Sequence, residues 1–551
     1  MFDTNTPKRI PAKLLFLICA AIGAVCFIGI YGVHILDFTN TGWLFNNEHD
    51  LRQHYIGWCR FRSDPWHFPI GLIDSLSYPN SMSVIYTDSI PMFAVIFKLF
   101  SPYLPQTFQY FGLFGILSFM LMGGFASLLL RRFISNDIQC ILGSVFYILS
   151  APVIQRMYFH TALAAQWIIV AALVLWVYND LIATNTKRII YWGIMGFLCV
   201  GIHSYFLPMA GMVLAVLMIT QFVRKEIAVP IGEFAAFSAA GLVNLYVLGA
   251  FYGGTDASGP GLGTFGSNLN TFINPWEIGQ ILPKLPLQND FQYEGMAYLG
   301  AGILLLFLIV AAGLVFRRVR KIPEEAFHSD RIYGKMTILL VCVSVMVAVL
   351  PNISWGDDLL LWIPYPGFVT KLLGIFRSNG RLIWPAMYVL MTTAISTAAY
   401  TFRHYKVATI VLFGALVLQI CDMSNAFAAR YDLYTTQHST DTLWDDPEVS
   451  SFIDGKREFI FLYTENDITM PTGYYGYIHN MRQNNFYFAR DIEEPVSNMI
   501  ELYYSELDNG NIRDDAVYVV KTEDYEKNRD YYDGLGADMK EIYGHMIFTA
   551  R

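Results

Sequence analysis

Residues 14–36 read LLFLICAAIGAVCFIGIYGVHIL, an unbroken apolar run entered through Lys8, Arg9 and Lys13. The run is 23 residues long, against about 7–15 for the core of a cleaved signal peptide. It reads as an uncleaved first transmembrane helix with a cytoplasmic N-terminus.

Ten further runs reach or approach spanning length. They centre on residues 107–130, 137–155, 162–183, 189–207, 208–223, 230–252, 298–316, 335–350, 383–402 and 406–421. With the first they predict about 11 spans. Composition agrees, since 54% of the 551 residues are hydrophobic and 15% charged, where soluble domains carry about 25% charge. A soluble globular enzyme, a disordered chain and a nucleic-acid-binding domain are thereby excluded. From Tyr431 onward there are 10 basic and 24 acidic residues, leaving 27 basic and 21 acidic before it. The expected layout is a mildly basic membrane body over 1–422 and an acidic soluble domain over 423–551. That acidity opposes an anionic headgroup or nucleic acid as its docking partner. The seven cysteines, Cys19, Cys26, Cys59, Cys140, Cys199, Cys342 and Cys421, form no metal knuckle or disulfide framework.

The short run Ile90–Tyr103 contains Lys98 and is fenced by Pro91, Pro102 and Pro105. If it spanned, the basic pairs Arg131/Arg132, Lys187/Arg188 and Arg224/Lys225 and the cluster from Arg317 to Lys321 would all face outside, against the positive-inside rule. It is therefore expected to lie in the interface over 90–103, closing a long first outer loop, 37–106. The acidic domain then falls outside. The cytoplasmic loops are short and basic, with no phosphate-cradling glycine loop. Chemistry is expected on the outer side, on a substrate already activated or moved by a gradient.

Four outer segments carry candidate groups. The first loop places Glu48, His49, Asp50 and His54 just past the first helix, where a carboxylate suits a base for an attacking hydroxyl; Asp50 equally suits a helix start. Asp88 in TDSIP offers the same two readings. Arg156 and His160 stand where one apolar run hands over to the next. Ionisable groups at such depth mark function by default, or snorkel as anchors. His203 and Tyr205 end another run on the same side. The Gly- and Asn-rich loop before residue 276 suits either a cover or a backbone cradle for phosphate or sugar. Beyond it, Tyr293 and Glu294 precede the next helix, a usual place for belt aromatics. Lys371, Arg377 and Arg381 put three cations on the outer side against the general trend. Arginine forks suit phosphate or diphosphate; anionic lipid headgroups suit them as well.

The order of these features resembles the GT-C class of membrane glycosyltransferases. The pieces are HDLRQHY (49–55), DSIPMFAVIFKLFSPYLP (88–105), FGILSFMLMGGFASLLLRR (114–132) and YILSAPVIQRMYFH (147–160), within residues 14–250. The segments YTDSIP, GTFGSNLNTFINP, QYEGMAYLGAG and FRSNGRLIWP are similar to a bacterial membrane family of that class, through about residue 390. The resemblance implies an inverting transferase at the bacterial cytoplasmic membrane. It would use a polyprenyl-phosphate-linked sugar donor and a glycan or lipid acceptor in the cell envelope. Asp50 maps onto the class's catalytic base, with Glu48 as the alternative, since His49 separates the two acids. Arg377 and Arg381 map onto donor-phosphate ligands; Arg156 and His160 are expected as positioning groups, and His54 and Asp88 as further substrate-binding candidates. The class often has a second acid where His160 stands; no cofactor is required, and a divalent metal is compatible. The rivals are a transporter or flippase of lipid-linked saccharides and a non-catalytic envelope assembly protein.

In the acidic segment, REFIFLYT, NNFYFAR, AVYVVKT and HMIFTAR alternate as strands, and PVSNMIELYYSEL and KTEDYEKNRDYYDGL read as helices. They predict a small extracytoplasmic α+β domain for acceptor recognition or for covering the active site.

Overall fold

The computed structural model describes residues 9–45, 50–252, 262–319, 331–364, 366–368, 374, 376–402, 404–490 and 492–551. The chain divides into two compact units, one of residues 1–40, 110–242 and 258–436, the other of 41–109, 243–257 and 437–551.

The first unit is helical. Seven helices among the described residues are long and apolar enough to cross a membrane, including Ala12–Tyr31, Phe111–Arg131, Phe206–Val223 and Tyr405–Thr435, and three shorter apolar helices lie at 161–177, 301–316 and 334–349. At 1.5 Å per residue, Phe111–Arg131 covers about 31 Å, the thickness of a hydrocarbon core. The chain is a multi-pass membrane protein. Small residues set the closest packing. A Cβ on Gly23 would lie 2.2 Å from the Phe119 carbonyl oxygen, and one on Gly123 would lie 2.3 Å from that of Cys19, so the first and second spans meet backbone to backbone. Asp422 is fully buried and binds the 298–301 turn, accepting from the Tyr298 hydroxyl at 2.7 Å and the Ala301 amide at 3.0 Å. This caps the helix Ala301–Val319, whose first amides lack intrahelical partners. The helix Tyr405–Thr435 runs on past residue 423, where the composition changes.

The second unit contains the helix Asp50–Ser63, the hairpin Leu72–Ser77 with Asn80–Ser83, the helix Pro91–Leu99 and the C-terminal α+β segment. Pro91–Leu99 has 9 residues, about 14 Å long and too short to span. Its Ile96 and Leu99, with Phe100 and Tyr103, are exposed. The C-terminal sheet has five strands in the order Arg482–Gln483, Glu458–Phe461, Ala516–Lys521, His545–Thr549 and Asp538–Ile542. The first three are parallel and the last two antiparallel to their neighbours. Both faces are covered: Phe459, Val517 and Val519 enter one apolar cluster, and Ile460, Tyr518 and Val520 the other. This explains why these strands are apolar throughout rather than alternating.

Three expectations for this segment change. NNFYFAR is not a strand, because pairing stops at Gln483. The Asn484 side chain then exchanges both hydrogen bonds with the Phe461 backbone, at 2.8 and 3.0 Å, in place of a ladder. The following residues bind the first loop instead: the Gln53 amide donates to Tyr487 O at 2.8 Å, and Ala489 N to Tyr86 O at 2.8 Å. The helix expected over 521–535 is two short helices, Thr522–Lys527 and Arg529–Gly534. The strand Asp538–Ile542 escaped notice because its hairpin turns through Tyr543 and Gly544, both at positive φ, without the usual Asn-Gly signature.

Candidate active site

The first unit assembles a buried ionic cluster from three distant stretches. The span Asp137–Phe159 is broken at Ser150, and Pro152 sits in the first turn of the new helix Ala151–Phe159. Proline lacks the amide that would continue the upstream ladder. The short helix carries Arg156, almost wholly buried, and ends at His160.

The second stretch is the 3-10 turn Asp290–Gly295, begun by the Asn289 side chain accepting from Phe291 N. The third is the 3-10 turn Asn379–Ile383. Asn379 Nδ2 donates to the carbonyls of Val347, Ala348 and Leu350 at 2.9, 3.1 and 2.7 Å, closing the carbonyl end of Arg331–Val349. The two turns meet through glycines. A Cβ on Gly380 would lie 2.9 Å from Gly295 Cα and 2.7 Å from the Phe265 carbonyl oxygen; one on Gly295 would lie 2.6 Å from Ser267 Cα. Only glycine allows this approach, which brings the neighbours Glu294 and Arg381 together.

Glu294 is the hub. It accepts from Arg156 Nη2 at 2.7 Å, Arg381 Nε at 2.7 Å and Arg381 Nη2 at 2.9 Å. His160 Nε2 lies 3.7 Å from Glu294 Oε1 and 3.4 Å from Arg381 Nη2. Arg156 also donates to the Glu294 carbonyl at 3.0 Å and lies 5.6 Å from the Trp384 ring; Arg381 lies 4.7 Å from Tyr205. The Tyr205 hydroxyl in turn accepts from Ser378 N at 2.9 Å. Burial alone would raise the Glu294 carboxyl, but the two guanidiniums outweigh it and hold it well below the usual range. Among the described residues, one carboxylate thus faces two guanidiniums in a buried place. Arg156 Nη1 is buried with no hydrogen-bond partner among the described residues. A buried guanidinium with a spare donor is chemically fitted to an anion. Arg377 is half-buried, its guanidinium 5.6 Å from the Phe265 ring, and no described carboxylate pairs with it.

The second unit gathers the remaining described candidates. Asp50 opens the helix Asp50–Ser63, His54 follows one turn later, and Gly57 completes the i, i+4, i+7 stripe. A Cβ on Gly57 would lie 2.3 Å from Thr87 Cβ, so the helix is pressed onto the YTDSIP turn. There the Ser89 hydroxyl donates to His54 O at 2.7 Å. Asp88 and Ile90 are both left-handed, at φ 51° and 53°. Asp tolerates this region, whereas a β-branched residue is strained there. A His54 ring nitrogen and an Asp88 carboxylate oxygen come within 4.8 Å. Both are of metal-ligand type. Glu48, His49 and Lys371 lie outside the described residues.

Sequence reasoning marked Arg156, His160 and Arg381 but passed over Glu294 as a belt neighbour. The available signal was an acid inside the glycine-ended motif QYEG at a helix boundary.

Among solved structures, the archaeal oligosaccharyltransferase AglB from Archaeoglobus fulgidus, in complex with an inhibitory peptide and a dolichol-phosphate, matches with a TM-score of 0.50 at 11% identity, over 93% of this chain and 70% of that one. The apo form of the Archaeoglobus fulgidus oligosaccharyltransferase matches at 0.49 and 11%, over 92% and 70%. ArnT from Cupriavidus metallidurans in the apo state matches at 0.48 and 11%, over 97% of each chain. The first likeness shows a shared fold, the GT-C architecture that the order of motifs implied. No curated protein matches by sequence. The C-terminal model of the DUF6311 domain of unknown function matches residues 448–550. The main model of the same family matches residues 20–424, nearly three quarters of the sequence, and the chain therefore belongs to the DUF6311 family.

Proposed function

We propose that this protein transfers a sugar from a polyprenyl-phosphate-linked donor to a glycan or lipid acceptor on the outer side of the bacterial cytoplasmic membrane. The observation that carries the reading is the meeting of two buried guanidiniums at Glu294, with Arg156 Nη1 left without a described partner, which suits a phosphate leaving group held at the membrane by a protein of GT-C fold. Arg381 and Arg377 bind the donor phosphate. Arg156 and His160 position it, and Glu294 holds Arg156 and Arg381 in register. Fork-shaped guanidiniums match phosphate oxygens in pairs and stay charged at any relevant pH.

The reaction is a single displacement. The acceptor hydroxyl attacks the anomeric carbon and the bond to the phosphate oxygen breaks, so the configuration inverts. Asp50 takes the hydroxyl proton, with Glu48 as the alternative base, and the cations stabilise the departing phosphate. His54 and Asp88 orient the acceptor. A divalent metal is compatible with His54 and Asp88, and no step is assigned to it. The C-terminal segment recognises the acceptor or covers the site.

The test is genetic and chemical. The gene is deleted and complemented at matched expression with wild type, Asp50→Asn or Arg381→Ala, and surface glycans are compared by mass spectrometry. One sugar should vanish on deletion and return only with wild type. Full restoration by Asp50→Asn removes Asp50 as base. Restoration by both variants moves the weight to a saccharide transporter or an assembly protein.

A further inference from the structure

The helix Arg331–Val349 is followed within three residues by the hairpin Asn352–Trp355 with Asp358–Trp362. Its two strands face different surroundings. The inner strand is keyed to the polar network beside Glu294. Ser354 O accepts from Leu269 N at 3.0 Å, Ser354 Oγ accepts from Gln292 Nε2 at 2.8 Å, and Gly356 O accepts from Asn268 Nδ2 at 2.8 Å. The outer strand pairs only with the inner one, and no described residue covers its other edge.

That outer strand is apolar on both faces. Leu359, Leu360, Leu361, Trp362 and Ile363 are 49, 59, 52, 60 and 41% exposed. Successive strand residues point to opposite sides, so a protein partner packed on one face would bury only alternate members. An apolar medium reaching both faces covers all five. An apolar helix leads directly into the hairpin, and Ile338 and Met346 on that helix are themselves exposed, so apolar residues are exposed on both the helix and the hairpin it feeds. Trp355 and Trp362 supply the side chain most enriched at the bilayer interface. Asp357 and Asp358 at the turn require water within reach, which limits the depth to the interface. A register shift between Ile353 and Ser354 bends the ribbon, as bulges do on edges that avoid pairing with a second copy.

We propose that the strand Asp358–Trp362 is seated among lipids at the bilayer interface, in the leaflet where the helix Arg331–Val349 ends. Its paired strand then fixes the height of the 268–294 segment relative to the membrane surface. The inference rests on the membrane reading and not on glycosyl transfer, so it stands or falls separately from the proposed activity.

The test uses the full chain with p-benzoylphenylalanine introduced at position 360, in nanodiscs of phosphatidylethanolamine and phosphatidylglycerol. After irradiation, lipid adducts are measured by intact mass. Comparison sites are Leu308, exposed on the apolar helix Ala301–Val319, and Tyr543, exposed at a turn of the C-terminal sheet. The expected adduct at 360 approaches that at 308 and exceeds that at 543 by about tenfold. An adduct level equal to that at 543, or a cross-linked dimer in place of lipid adducts, overturns the proposal. If the 360 variant does not fold, the same probe at 362 gives the same reading.

Discussion

Removing the Glu294 charge tests the logic of the ionic cluster directly. Glu294→Gln keeps the size of the side chain but replaces one acceptor oxygen by a donor facing a guanidinium. Three short charge-assisted hydrogen bonds, at 2.7, 2.7 and 2.9 Å, depend on that carboxylate. Glu294, Arg156 and Arg381 are all at most 6% exposed, so solvent does little to screen the loss. Breaking a buried pair from one side costs about 3–5 kcal/mol, because the opposite charge is left uncompensated. Here two guanidiniums are left, and the upper half of that range is expected. At roughly 2 °C per kcal/mol for a large domain, the unfolding midpoint of the purified protein should drop by about 8–10 °C. Inorganic phosphate should recover part of the drop, since it stabilises in proportion to its occupancy of the folded state. Adding Arg156→Met removes one unpaired cation, so the double variant should be more stable than the sum of the single effects predicts. A change in midpoint under about 1 °C for Glu294→Gln, or strict additivity in the double variant, would refute the account.

The same cluster sets a pH response. The folded-state carboxyl of Glu294 is depressed, so its stabilisation is present above the unfolded carboxylate pKa and is lost only as pH falls through the lower folded value. Melting curves of wild type and Glu294→Gln should therefore stay separated through mildly acidic pH and converge only below the usual carboxylate range. Gly380→Ala drives a Cβ onto the backbone of Phe265 and Gly295. It should cost about 1–3 kcal/mol in thermal unfolding and lower transfer, whereas Gly534→Ala, with open space around it and no positive φ, should stay within about 0.5 kcal/mol. Arg377→Ala removes no described ion pair, so stability should stay within about 0.5 kcal/mol while glycan transfer falls; unchanged glycans would remove Arg377 from the phosphate site. Asp467 accepts from the Tyr463 hydroxyl at 2.8 Å and lies 3.0 Å from His545 Nε2. Burial opposes ionisation there, yet His545 and Tyr463 outweigh it and pull the carboxyl down to about 2. Its stabilisation is therefore complete above the unfolded value and fades toward pH 2. With the carboxylate 40% exposed, Asp467→Asn should cost about 1 kcal/mol after screening, read as faster amide exchange in the strands Glu458–Phe461 and His545–Thr549.

The spans were legible because a membrane imposes one rule on every residue of a long run: apolar outside, backbone satisfied within the helix. Leu14–Leu36 and six of the later runs coincide with helices long and apolar enough to cross, and the short, proline-fenced run at 90–103 departs from the rule in a way that also reads locally. The strands Glu458–Phe461 and Ala516–Lys521 carry their own apolar signal in the same way. NNFYFAR does not, because the side chain of Asn484 competes with the ladder only once Phe461 stands opposite. Asp50, Arg156, His160 and Arg381 could be marked one at a time, since charge or carboxylate chemistry near an apolar run is a local anomaly. What they do together could not be read in that way. Glu294 becomes the hub only because Gly295 and Gly380, 85 positions apart in the sequence, let two turns touch. The sequence determined that this protein lives in a membrane and which residue types it spends there on charge. The tertiary structure decided which charges meet, because an ion pair depends on a few ångströms of separation that no local pattern encodes.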